Sequence, residues 1–268
     1  MPEEIRPVTL STLRAMKARG ERIACLTAYE ASQARVLDRA GVDLILVGDS
    51  LGMVVQGHET TVPVTVDDVV YHTRCVARGR RRAFLLADMP FLSYTNPERA
   101  LETAGRLMQE GGAHGVKLEG GAGQRAVVAA LAGAGVPVCA HLGLQPQAVH
   151  RLGGYRVQGR GEAAARALAE EARALEAAGA DLLLLECVPR ALAARIAREA
   201  SVPVIGIGAG PACDGQILVL HDLLGLTERP PRFAADFLAG RGSVREAVAA
   251  YVAAVRAGRF PGPEHGFD

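Results

Sequence analysis

Eight short β-type runs, separated mostly by stretches of helical period, constrain the fold more than any other feature of the chain. They are Arg22 to Ala28, Asp43 to Asp49, Ala83 to Met89, Gly115 to Glu119, Val136 to Leu142, Asp181 to Cys187, Val202 to Ile207 and Ile217 to Leu223. Most are continuously apolar rather than alternating, the pattern of parallel strands covered on both faces. Between them lie helical patterns over Ala31 to Ala40, Val66 to Arg78, Pro97 to Glu110, Gln124 to Ala134, Glu162 to Ala178 and Pro189 to Ala200. Pro97 and Pro189 suit first helical turns, and Gly41, Gly111, Gly135 and Gly179 suit C-terminal caps. Eight strands with helical patterns in most of the gaps, in 268 residues, predict one α/β domain over the whole chain, a (β/α)8 TIM barrel. Val8 to Arg19 reads as a helix closing the bottom of the barrel, Val244 to Val255 as a final helix, and Gly258 to Asp268 as an irregular tail.

Charge and composition narrow the function. Thirty basic residues against 29 acidic ones give a net charge of +1, so no field draws the chain to nucleic acid or to an anionic membrane. No apolar run is long enough to cross a bilayer, and the start MPEEIRP lacks the basic and apolar regions of a signal peptide, which predicts a cytoplasmic protein with a small-molecule partner. Cys25, Cys75, Cys139, Cys187 and Cys213 form no C-x-x-C pair and read as reduced residues. Of the 30 basic residues 28 are arginine, so Lys117, inside an apolar strand run, stands out.

In a barrel, ionisable residues at strand C-terminal ends point into the rim pocket where active sites are built. Here those residues are acidic: Asp49, Asp88, Glu119 beside Lys117, and Glu186. Successive strands bring Asp49, Asp88 and Glu119 toward one point, and crowded carboxylates require a cation. An all-oxygen set without Cys or His suits Mg2+, with Mn2+ or Co2+ as substitutes. A chelating 2-oxo acid could take further coordination sites. Glu186 follows four leucines, and desolvation raises its pKa toward the range of a general base. Lys117 and Glu119 share one face of their strand, so the ammonium can hold a substrate carboxylate or a forming enolate. His141 reads equally as a pocket donor or as a satisfied core histidine. The long connections Ser50 to Thr65 and Gln145 to Gly161 fall on the same rim. GIGAGP, Gly206 to Pro211, lacks the third glycine of a dinucleotide fingerprint; after a barrel strand its glycines give room to substrate or bind an anion.

The residues that carry this reading resemble the ketopantoate hydroxymethyltransferase (3-methyl-2-oxobutanoate hydroxymethyltransferase) family. The resemblance runs through TAYEAS, LVGDSLGMVVQGHETTVPVT, YHTRCV, LLADMPF, VKLEGG, VPVCAHLGLQPQ, GGYRVQGRG, ALEAAGADLLLLECVP, VPVIGIGAGPACDGQILVLHD and FPGPEHGF, nearly the whole chain. It implies hydroxymethyl transfer from 5,10-methylenetetrahydrofolate to 3-methyl-2-oxobutanoate in pantothenate biosynthesis, giving 2-dehydropantoate and tetrahydrofolate. By the same resemblance, one Mg2+ per subunit falls to Asp49, Asp88 and Glu119, substrate contacts to Asp49, Ser50, Asp88 and Lys117, and the base to Glu186. It also implies a homo-oligomer, commonly a homodecamer. Pro211 to Cys213 and Gly266 depart from the commoner family pattern, which bears on how the tail closes over the folate. Two rivals stand beside this reading: a barrel of the phosphoenolpyruvate mutase and isocitrate lyase type, which would cleave or rearrange, and a barrel that only binds a 2-oxo acid.

Overall fold

The eight strands close into a parallel barrel in chain order, with the last returning to pair with the first. This computed structural model describes residues 6–268. The strands are β1 (Ile23–Thr27), β2 (Leu44–Val47), β3 (Phe84–Asp88), β4 (Gly115–Glu119), β5 (Val138–Gly143), β6 (Leu182–Glu186), β7 (Val204–Ile207) and β8 (Gly215–Leu218). Every strand residue is buried except Glu186, which opens partly to the rim. Burial on both faces is what the continuous apolar runs require: one side chain packs inside the barrel, the next against the helices.

The helices begin where short polar side chains satisfy free backbone donors. Asn96 accepts the Arg99 N–H at 2.9 Å in front of helix Pro97–Gly105, and Thr65 and Asp68 cap each other's backbone at the head of Val66–Gly79. Gly41, Gly135 and Gly179 are left-handed, with φ of 89°, 80° and 109°, as their helix-ending positions predict.

Three local expectations are corrected. The left-handed cap after Pro97–Gly105 is Gly112 at φ 81°, not Gly111, because a π-helical turn over Arg106–Glu110 adds a residue before the chain can reverse. Pro189 lies just before helix Arg190–Glu199, with extended ψ, rather than in its first turn. Finally, β8 starts two residues earlier than its apolar run and ends at Leu218; Leu220–Leu223 is a helical turn whose first N–H is taken by Thr27 Oγ1 at 3.0 Å.

Helix Leu10–Ala18 lies across the N-terminal ends of the strands, as the sequence predicts. Leu13 and Met16 are buried beneath it, Lys17 pairs with Asp214 at 2.7 Å just before β8, and Arg14 pairs with Asp181 at 2.6 Å just before β6. At the same end Asp43, fully buried, takes Arg82 at 2.7 Å, Arg256 at 3.3 Å and the Ala24 N–H at 3.0 Å. The bottom of the barrel is thus fixed by ion pairs, which leaves the opposite rim for chemistry. All five cysteines are free thiols, and no helix of the described residues is long and apolar enough to cross a membrane.

Candidate active site

At the C-terminal rim, Asp49, Ser50, Asp88, Lys117, Glu119 and Glu186 line a single cavity of about 520 Å3. The sequence reading named all six. Asp88, Glu119 and Glu186 are the last residues of β3, β4 and β6, Lys117 lies two residues before Glu119, and Asp49 and Ser50 follow β2 after Gly48. Gly48 makes this crowding possible: a Cβ there would meet Ser50 Oγ at 2.9 Å and Asp88 Oδ2 at 3.3 Å. Without it Asp88 reaches across and accepts the Asp49 N–H at 2.9 Å.

Each buried acid is answered by a specific partner. Lys117 Nζ stands 2.6 Å from Asp88 Oδ1; the contact is poorly aligned as a hydrogen bond, so it is chiefly an ion pair. Gln147, in the loop after β5, donates its amide to Asp49 Oδ2 at 2.8 Å and its backbone N–H to Glu119 Oε2 at 3.1 Å. Tyr94 donates to Gln147 Oε1 at 2.6 Å. Ser50 Oγ shares a hydrogen bond of 2.9 Å with Tyr29 OH.

Burial sets the protonation pattern. It pushes Glu186 up to about 7, against the opposing pull of Lys117. Burial, and then the Asp88 charge, push Asp49 up to about 7 as well, and Glu119 is raised well above the usual carboxylate range by burial. For Lys117 burial works against the charge, but the fields of Asp88, Glu119 and Asp49 outweigh it and raise the pKa, so the ammonium stays charged. Burial, reinforced by Lys117, holds His141 well below the usual imidazole range.

A neutral His141 has one donor and one acceptor nitrogen. Lys117 Nζ, which can only donate, lies 3.3 Å from Nδ1, closer than Glu119 Oε1 at 3.6 Å from the same nitrogen, and this favours the proton on Nε2. That nitrogen is buried without a formed hydrogen bond and stands 3.3 Å from Glu186 Oε2. Of the two readings the sequence left open for His141, the geometry selects the pocket donor. Next to Glu186, Cys187 takes a left-handed backbone with φ 48°, a strained turn for a residue with a side chain.

The trio Asp49, Asp88 and Glu119 shares the cavity, yet among the described residues no three His, Cys, Asp or Glu side chains lie grouped to hold a metal ion. Asp88 is turned toward Lys117, while Gln147 holds one oxygen each of Asp49 and Glu119 and leaves the other oxygen of each without that bond. The donor chemistry nevertheless suits a hard divalent cation. All the available atoms are oxygens, and Glu119 Oε1 is buried with no hydrogen-bond partner.

Several contributors escaped the sequence. Gln147 and Tyr94 carry no charge to mark them. A third long connection after β8 supplies Arg229, Arg232 and Phe233 to the cavity wall, and the tail supplies Phe267. The tail is strapped down by the Arg190 N–H donating to Phe267 O at 2.9 Å and by Arg232 Nε donating to Glu264 O at 2.9 Å. The room over Gly208, at φ 60°, is therefore filled by the Phe233 and Phe267 rings.

Barrel and acid-lined rim together define an enzyme of the (β/α)8 class. A family model described as ketopantoate hydroxymethyltransferase matches residues 7–263. The 3-methyl-2-oxobutanoate hydroxymethyltransferase of Halorhodospira halophila is 66% identical over 261 residues, covering 97% of this chain and 95% of the relative. The chain belongs to the ketopantoate hydroxymethyltransferase family, and so to the hydroxymethyl-transferring enzymes. Among solved structures, a putative phosphonomutase from Burkholderia cenocepacia is similar with a TM-score of 0.64 at 20% identity, over 81% of this chain and 95% of that one. A 2,3-dimethylmalate lyase of the PEP mutase/isocitrate lyase superfamily gives a TM-score of 0.59 at 19% identity, over 81% and 82%. At such identities the likeness concerns the barrel alone.

Proposed function

We propose that the chain transfers a hydroxymethyl group from 5,10-methylenetetrahydrofolate to 3-methyl-2-oxobutanoate, forming 2-dehydropantoate and tetrahydrofolate for pantothenate biosynthesis, with Glu186 as the base. The observation that carries the reading is Glu186 itself. It ends β6 in the rim cavity, only 15% of its side chain is exposed, and burial tunes it to about 7, where it can both take and return a proton at neutral pH. Family membership supports the class of transfer.

Asp49, Ser50, Asp88 and Lys117 form the end of the cavity that receives the 2-oxo acid. One Mg2+ per subunit, held by Asp49, Asp88 and Glu119, would supply a Lewis acid for the 2-oxo and carboxylate oxygens of the substrate. Lys117 adds a fixed positive charge where the enolate oxygen gains negative charge. Glu186 removes the C3 proton, with His141 Nε2 standing 3.3 Å from its carboxylate. The enolate carbon then attacks the methylene carbon carried by the folate, and water supplies the hydroxyl as tetrahydrofolate leaves. A cytoplasmic homodecamer belongs to the same proposal; Tyr71, Leu92 and Leu226, left exposed, are consistent with subunit contacts.

Glu186→Gln tests the assignment. Incubated with 3-methyl-2-oxobutanoate and Mg2+ in D2O, this variant should lose exchange of the C3 proton. Exchange at the unaltered rate would remove Glu186 from the role of base.

A further inference from the structure

Gln147 is a neutral, buried residue with no part in the chemistry just described, yet it donates hydrogen bonds to two acids of the carboxylate cluster. Its amide nitrogen donates one hydrogen to Asp49 Oδ2 at 2.8 Å and the other to the Met89 carbonyl at 3.0 Å. Its amide oxygen accepts from Tyr94 OH at 2.6 Å, and the same hydroxyl accepts the Glu119 N–H at 3.3 Å. Its backbone N–H donates to Glu119 Oε2 at 3.1 Å. The amide cannot be reversed, since its oxygen would then face a carboxylate and a carbonyl. One residue of the β5 loop therefore joins the acids following β2 and ending β4 to the end of β3.

We propose that Gln147 is the positioning residue of the cation site: it fixes Asp49 and Glu119 on the cavity wall, and Tyr94 fixes it in turn. The proposal rests on the reading above that a divalent cation binds among Asp49, Asp88 and Glu119.

The physical case is one of charge. Three buried carboxylates repel, and a cationic partner such as Lys117 relieves the repulsion only by competing with a metal for the same oxygens. An amide relieves it without cancelling the charge that a cation needs. It also binds one oxygen of each acid and leaves others free, and Glu119 Oε1 is such a free oxygen. Partners that orient metal-binding carboxylates in this way govern affinity without touching the ion.

The test is Mn2+ binding to the full chain, followed by the paramagnetic resonance signal of the free ion. The samples are the unaltered protein, Gln147→Met, which keeps the length and apolar bulk but none of the hydrogen bonds, and Tyr94→Phe. The expected result is a Kd for Mn2+ raised roughly ten- to hundredfold in Gln147→Met and in the same direction, by less, in Tyr94→Phe. A residue that merely tied down the β5 loop would lower the melting temperature and leave the Kd unmoved. An equal Kd in the unaltered protein and Gln147→Met overturns the assignment of Gln147 while the cation site stands. Failure of the unaltered protein to bind Mn2+ overturns the cation site and the assignment with it. Should Gln147→Met not fold, Tyr94→Phe, which loses a single hydroxyl, decides by the same criterion.

Discussion

Replacing His141 with leucine should slow proton removal at neutral pH far more than at alkaline pH, and the size of the effect follows from the site. Burial, opposed by Lys117, takes Glu186 to about 7. His141 Nε2 stands 3.3 Å from Glu186 Oε2, near enough for its N–H to turn and donate a charge-assisted hydrogen bond to the ionised carboxylate. A hydrogen bond to a charged group contributes about 1.5–3 kcal/mol, and each pH unit of pKa is about 1.4 kcal/mol. The sign is fixed by which form is favoured. Such a bond would stabilise the ionised base and lower its pKa, so removing the donor should move the midpoint of the pH–rate profile upward by about one to two pH units. Below both midpoints the ionised fraction, and with it the rate, falls about ten- to hundredfold; well above them the two proteins converge. The assay is C3 deuteration of 3-methyl-2-oxobutanoate in D2O with Mg2+ and no folate, followed by proton NMR between pH 5.5 and 9.5. A His141→Leu profile that superimposes on the unaltered one, or a deficit that stays constant across the range, would refute the reasoning.

Two further outcomes follow from the same charge geometry. Lys117→Met leaves Asp88 and its neighbours without their buried cation and should cost about 3 kcal/mol of stability; Mg2+ should recover part of it, so thermal unfolding without any Mg2+-dependent recovery would contradict the placing of metal and ammonium on shared oxygens. Asp43→Ala strands Arg82 and the Ala24 N–H at the bottom of the barrel and should also cost about 3 kcal/mol in urea unfolding, while Mn2+ affinity measured on the folded protein stays unchanged.

How far the sequence reaches depends on which physical signal an element carries. Gly115–Glu119 emerges with both ends correct because an apolar run bounded by glycine and a charged residue has little freedom of register. β8 does not, because its first two residues are Gly215 and Gln216, which carry no apolar signal; their place is set by pairing with Ile23 and Ala24. The apolar residues that drew the expected strand onward to Leu223 instead form a helical turn against the barrel. The π-helical turn at Arg106–Glu110 has no pattern distinct from an ordinary helix, so the capping glycine is misassigned by one residue.

At the site, charge is legible and neutrality is not. Asp49, Asp88, Lys117, Glu119 and Glu186 stand out as ionisable residues at the ends of apolar runs, and the barrel collects them in one cavity. Gln147 and Tyr94 lie far apart in the chain and acquire meaning only through the loops that bring them to Asp49 and Glu119. Phe267 reaches the cavity through a tail whose glycines and prolines indicate only irregular chain. His141 could not be read without its neighbours, since the tautomer follows from where Lys117 Nζ lies.

The most direct test of the account is proton NMR of 3-methyl-2-oxobutanoate with the protein and 5,10-methylenetetrahydrofolate in D2O, first with Mg2+ and then with EDTA. The account predicts a new hydroxymethyl signal that appears with Mg2+ and is abolished by EDTA. A signal that persists undiminished in EDTA would contradict the role given to Asp49, Asp88 and Glu119, and no signal under either condition would contradict the proposed transfer.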